Sequence, residues 1–205
     1  MSAQRTVFGI ALVGLGLLGS SNASALGPAE DRIGQVLGGL SATELSPEVQ
    51  AFLSEHLSPL MVNEVFVAEV TRQNALGRSL SQIQEIDAEW SSAEEELSIM
   101  REMLTNATAN EIRKVCKDLP QVGEVFVMDN QGANVGQNAL TSDFWQGDEA
   151  KWKKSFNEGK GGIDFGKPSL DKSTNEVLQQ VSLPIINKDG EVIGAICFGL
   201  RINQF

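Results

Sequence analysis

Apolar positions in this chain follow two periods, and the change between them falls near residue 120. Up to that point they recur at helical spacing. Ser46-Pro47 predicts a helix start, with serine as cap and proline in the first turn, and Ser58-Pro59 repeats the device. The stretch PLMVNEVFVAEVTRQNALG then reads as a helix stopped by Gly77. Ser79 and Gln82 form a capping box. After them Ile83, Ile86, Trp90, Leu97, Met100 and Leu104 predict one long amphipathic helix. Thr108 with Glu111 predicts another capping box, opening a short helix that Leu119-Pro120 ends.

From Glu124 the pattern is that of strands. EVFVMD, NQG and ANVG read as a hairpin, with Asp129 as a turn former. GDEAKWKKSF reads as a short helix with Asp148 near its start, and NEGKGG as a flexible loop. IDFGKPS, the turn LDKSTN, EVLQQVSLPII, the turn NKDG and EVIGAICFGLRI then form a strand meander. The last strand is apolar on both faces, with Val192, Ile196 and Phe198 on one and Ile193, Ala195 and Cys197 on the other. Such a strand belongs in the centre of a covered sheet. The long helix supplies one cover. The segment carrying Trp145 and Trp152 supplies the other, which sets both tryptophans over the sheet where small ligands bind. The fold class is α+β.

The ends and the charge narrow the setting. Arg5, the apolar run TVFGIALVGLGLLG and the small residues SSNASA have the plan of a secretory signal peptide, with cleavage expected after Ala25. The run is shorter than the roughly 20 residues of a membrane span. The expected organisation is a leader over 1–25, a flexible segment over 26–44, a helical region over 45–120 and a sheet with its ligand-binding segment over 121–205. The expected location is periplasmic or secreted. A formal net charge of -11 argues against a nucleic-acid partner. Two glycine patterns are decoys. GLGLLG lies inside the leader, and GGIDFGKP carries Pro168 where a phosphate loop needs Ser or Thr.

Candidate chemistry is sparse. Two cysteines and one histidine, His56, do not make a zinc site, so no metal is expected. Cys116 and Cys197 are either a disulfide, contributing about 4 to 5 kcal/mol in the chain-entropy model, or two buried thiols. No catalytic constellation is present, so neither an enzyme nor a cofactor is expected. The candidate binding residues are Trp145, Gln146, Lys151, Trp152, Gln180, Ser182 and Asp148. The tryptophans give apolar walls or core plugs. Lys151 offers its ammonium to a ligand carboxylate or lies solvated on the helix. Gln180 and Ser182 share one face of an apolar strand and need partners there. Asp148 touches ligand or caps the helix.

EVFVMDNQGANVG, SDFWQGDEAKW and PIINKDGEVIGAICFGL together resemble the extracellular PAS-like sensor domains of the Cache (PDC) class, in single-module form, over Leu45 to Phe205. The resemblance implies a five-stranded antiparallel sheet with a ligand pocket under a covering segment. It implies small ligands: amino acids, short carboxylates, amines or sugars. Family members serve as input domains of chemoreceptors and sensor kinases, but this chain shows no C-terminal membrane helix or output module. Signalling would therefore pass to a membrane receptor or kinase partner. The other reading is a structural or interaction protein with a filled pocket, forming a homodimer or docking a partner through the long helix.

Overall fold

A computed structural model describes residues 27–171 and 176–205. The predicted leader with its cleavage point after Ala25, and the tip of the LDKSTN turn, lie outside the described residues. The strands are β1 (Val122–Met128), β2 (Asn134–Gln137), β3 (Asp164–Phe165), β4 (Ser169–Asp171), β5 (Glu176–Ile186) and β6 (Val192–Leu200). All pairings are antiparallel, in the order β2-β1-β6-β5-β3, with β4 also pairing with β5. The α+β class and the five-strand path are thus as predicted, with β4 as a short extra piece. β6 is central and, apart from half-buried Ile193, buried throughout.

The helices are α1 (Pro28–Leu37), α2 (Pro47–Phe52), α3 (Glu64–Asn74), α4 (Leu80–Ser92), α5 (Ser98–Thr105), α6 (Ala107–Asp118) and α7 (Ala150–Phe156). Ser46 caps α2 through the Val49 N–H, and Ser79 and Gln82 form the full capping box on α4. Among the described residues no helix is long and apolar enough to cross a membrane.

The sheet separates two apolar layers. On one face Val125, Val127, Val181, Leu183, Ile185, Ile196 and Phe198 meet Leu53, Leu57, Met61, Phe66, Val70 and Ile112 from the α2–α3 region and α6. On the other face Phe126, Met128, Ala195 and Cys197 meet Trp152 of α7. Burial of each large side chain contributes about 1.5–3 kcal/mol, so both covers hold the sheet firmly.

Several expectations need correction. The long helix is two helices. Ala93 is extended at φ -68 and ψ 126, and α5 starts afresh at Ser98. The break lets Met100 and Met103 join Ile83, Trp90 and Phe144 in a second core beside the sheet. The helical cover of the sheet therefore comes from the α2–α3 region and α6, and the single helix assigned to dimerisation does not exist as one element. Residues 26–44, expected to be flexible, contain α1, with Val36 and Leu40 buried in the main core. Ser58 does not cap a helix; its hydroxyl donates to Ser54 O at 2.8 Å. Asn106, not Thr108, caps α6. Its carboxamide accepts from Ala109 N and donates to Val135 O on the sheet, a double role Thr108 could not fill.

The two cysteines are free. Cys116 packs on the core layer under α6, while Cys197 faces α7, so the sheet stands between them. Of the two alternatives the sequence left open, the structure therefore has the separate thiols and not the disulfide. Burial pushes both thiols up, Cys116 to about 11 and Cys197 to about 12.

Candidate functional site

Strand register places a row of chemically mixed side chains under α7. Phe126 on β1 pairs with Cys197 on β6, Cys197 with Ser182 on β5, and Ser182 with Asp164 on β3. Directly opposed residues on antiparallel strands share a face, so these four form one rung. The neighbouring rung is Glu124, Gly199 and Gln180. Glu124, Ser182 and Asp164 are buried, at 2%, 1% and 8% exposure. Gln180 Nε2 donates to Glu124 Oε2 at 3.4 Å.

The charges from α7 descend onto this floor. Lys151 Nζ lies 5.2 Å from the Phe126 ring centroid, within cation–π range, and 3.1 Å from Glu149 Oε2. Its side chain is 15% exposed, whereas that of Glu149 is 41% exposed. Lys154 Nζ bonds Asp164 Oδ1 at 2.7 Å. The Cys197 thiol registers the whole group. Its pKa is raised first by burial, lowered by Lys151 and Ser182, and raised again by Glu124 and Asp164. Ser182 Oγ lies near enough to influence the thiol, but among the described residues it has no hydrogen-bond partner of acceptable geometry. An unpaired buried hydroxyl costs about 1–3 kcal/mol, which a bound polar group would recover.

The roof is fixed by the two tryptophans of the 141–154 segment. Trp145 Nε1 donates to Gln131 O at 2.8 Å, and Trp152 Nε1 donates to Asp129 O at 3.0 Å. Both carbonyls belong to the β1–β2 turn, so the two indoles staple the roof to one point. Trp145 is not helical, since α7 begins at Ala150. It bridges Ala133 and packs on the second core. Trp152 stacks on Phe156 with centroids 5.0 Å apart and touches the floor. Gly132 takes φ 87, and a Cβ there would lie 2.4 Å from Gly147 Cα, so roof and turn meet backbone to backbone.

Asp129 organises that turn. Its Oδ1 accepts from Gln131 N at 2.8 Å and Ala133 N at 3.0 Å, and its Oδ2 accepts from Gln73 Nε2 at 2.9 Å. Burial raises its pKa despite these donors.

Of the expected site residues, Lys151, Trp152, Gln180 and Ser182 come together around the floor. Trp145 and Gln146 belong to the roof. Gln146 is buried, its Nε2 donating to Asp143 O at 2.8 Å. Asp148 is exposed and stands apart, and it is not the cap either: Glu149 holds that position without a side-chain bond. Sequence reasoning missed Glu124, Asp164, Asn134 and Gln137. Glu124 gave a usable signal, since it shares strand parity with Phe126 and Met128. The NEGKGG loop, expected to be flexible, is tied to α1, where Arg32 Nη1 donates to Lys160 O at 3.1 Å.

No protein-family model matches the chain, and no curated protein does. Solved structures give distant likenesses. The ligand-binding domain of the Campylobacter jejuni chemoreceptor Tlp3, in complex with 4-methylisoleucine, is 11% identical over 88% of this chain and 63% of that one, with a TM-score of 0.39. The ligand-binding domain of the Pseudomonas aeruginosa PAO1 amino acid chemoreceptor PctC, in complex with GABA, is 12% identical over 69% and 62%, with a TM-score of 0.33. The sensor domain of the V. cholerae histidine kinase DctB is 17% identical over 76% and 58%, with a TM-score of 0.35. This chain spans less than two thirds of the length of each. What it is similar to, at that distance, is the sensor domain of chemoreceptors and histidine kinases.

Proposed function

We propose that this protein is an exported, non-catalytic sensory module that binds a small ligand between the sheet and the Trp145–Trp152 segment. The observation that carries this reading is the mixed polar floor under α7: unpaired Ser182 Oγ beside largely buried Lys151, with Gln180, Glu124 and Asp164 around them. A packed core has no use for such a group, whereas a ligand does. We further propose that the ligand carries a carboxylate. Lys151 would receive it by exchanging the exposed carboxylate of Glu149, and Ser182 would donate a hydrogen bond. Signal output would pass to a membrane receptor or kinase partner.

Trp152 packing on Phe126, Met128, Ala195 and Cys197 favours a second reading, in which side chains fill the space and the chain serves as an interaction protein. A melting scan against small carboxylates, amino acids, amines and sugars separates the two. A ligand at 100 times its Kd adds about 2.7 kcal/mol. The binding reading expects a hit that vanishes in Lys151→Met and Ser182→Ala. A panel without any shift favours the filled interior.

A further inference from the structure

The roof helix α7 is fastened at both ends. Near its start, Trp152 Nε1 is bonded to Asp129 O. Its other end runs into a loop, residues 157–162, that doubles back on the helix. Gly161 N donates to Phe156 O at 3.1 Å and Gly162 N to Ser155 O at 3.0 Å, so the loop and the last turn of α7 form one hydrogen-bonded unit. That unit is held in turn by α1. Arg32 Nη1 donates to Lys160 O, and Arg32 Nε donates to Gly190 O in the β5–β6 turn, both at 3.1 Å. One planar guanidinium therefore latches the end of α7 to the end of the central hairpin.

The latch works against a strained joint. Asn157 at φ 49 and Glu158 at φ 54 are the two non-glycine residues with positive φ among the described residues, and Gly159 and Gly161 take φ 81 and 77. Asparagine tolerates the left-handed region, whereas glutamate meets the clash of its Cβ in full. Release of the loop would relieve that strain. Packing around the joint is uneven. A Cβ on Gly161 would meet Val192, Pro184 and Val36, but elsewhere α1 and the loop part around an open cleft of about 290 Å3, with Gln35 and Thr43 on one side and Lys160 and Ile163 on the other. α1 itself is seated independently of the loop. Val36 is buried in the main core, Ile33 and Leu37 pack against it, and a Cβ on Gly190 would stand 2.6 Å from Pro28 O. The anchor is fixed, and what it holds is under strain.

We infer that Arg32 is a positioning residue for the ligand floor: it holds the C-terminal end of α7 down, and without it α7 lifts from the sheet while the rest stays folded. The inference rests on the binding reading for its consequence, that Lys151 stays over Ser182, but the movement itself is measured without a ligand. Cys197 reports it. This residue is fully buried, pairs with Ser182 and lies against Trp152. A reagent reaches it only when α7 lifts or the chain unfolds.

The test is the rate at which N-ethylmaleimide modifies Cys197, followed by mass in the mature chain carrying Cys116→Ala, across urea concentrations below the unfolding transition. Arg32→Met keeps the stem and removes both donors. Asn63→Ala is the comparison. It strips the α3 cap, whose Oδ1 accepts from Val65 N and Phe66 N, and so lowers global stability with the latch intact. Without urea, Arg32→Met should react at least about tenfold faster than its parent, the scale of one lost charge-assisted bond. Its rate should be nearly independent of urea, as local opening is. Asn63→Ala should react at its global unfolding rate, which climbs steeply with urea. Arg32→Lys keeps the charge without the fork and should fall between parent and methionine variant; it decides by the same criterion if Arg32→Met does not fold. A rate that follows the variant's own global unfolding, as in Asn63→Ala, overturns the inference and leaves the binding reading standing. Urea-independent modification supports the latch even where no compound on the ligand panel binds.

Discussion

Asp129 offers the sharpest test of how the roof is held. Replacing it with alanine strips acceptors from Gln131 N, Ala133 N and Gln73 Nε2 at 2.8, 3.0 and 2.9 Å. Gln73 keeps another acceptor, Asn134 O at 3.1 Å, so the loss concentrates on the two backbone donors. Hydrogen bonds to a charged group are each worth about 1.5–3 kcal/mol net, and relief of the buried charge returns part of that. Asp129→Ala should therefore cost about 2–4 kcal/mol. Asp129→Asn keeps the Oδ1 acceptor for both backbone donors but sets its Nδ2 against Gln73 Nε2, so it should cost less than alanine, about 1–2 kcal/mol near neutral pH. The two proteins should also differ in pH dependence. The folded pKa of Asp129 is raised by burial, so the folded state holds its proton after the unfolded state, near 3.8, has lost it. Wild-type stability should then fall relative to Asp129→Asn as pH rises from about 3.8 through the raised pKa, and level off above it. Urea unfolding of wild type and both variants between pH 3 and 8 measures this. A wild type that gains on Asp129→Asn over that window would refute the reasoning, as would an alanine variant as stable as the asparagine one.

Three further outcomes follow from the same structure. Gly194→Ala should destabilise severely, because its Cβ would be driven against the Met128 carbonyl in the adjacent strand; expression yield and melting temperature read this. Both cysteines should titrate as free thiols in denaturant. In the folded protein Cys197 should react with a thiol reagent only as fast as the chain unfolds, since it is fully buried with its pKa pushed to about 12. Trp152→Phe removes the bond to Asp129 O but keeps an aromatic on the floor, and should cost about 1 kcal/mol in urea unfolding.

Some of this was legible in the sequence because it is local. The β5–β6 hairpin follows from two apolar runs around NKDG, and the α4 start from Ser79 and Gln82 alone. The central place of β6 follows from its two apolar faces. What failed depended on distant partners. The apolar period runs from Trp90 across the break to Leu97, and only the shared core with Phe144 shows why the chain turns. Thr108 with Glu111 carries the local signature of a cap for α6, and Asn106 takes the role because Val135 O is there to accept its amide. The tryptophans read as pocket walls or core plugs, yet each indole N–H is committed to a carbonyl of one turn, which no local pattern encodes. Asn134 and Gln137 sit on a short strand that reads as a solvated hairpin arm. Their burial arises from the 141–147 segment folding back over them. Glu124 and Asp164 enter the floor only through the pairing of β1 with β6 and of β3 with β5.

The central claim is that a small ligand binds between α7 and the sheet. A high-resolution crystal structure of the mature protein, soaked in the panel of small carboxylates, amino acids and amines, tests it most directly. The account predicts density for a small molecule within hydrogen-bond distance of Lys151 Nζ and Ser182 Oγ. Side chains closed over Ser182, with the compounds bound elsewhere or nowhere, would contradict it.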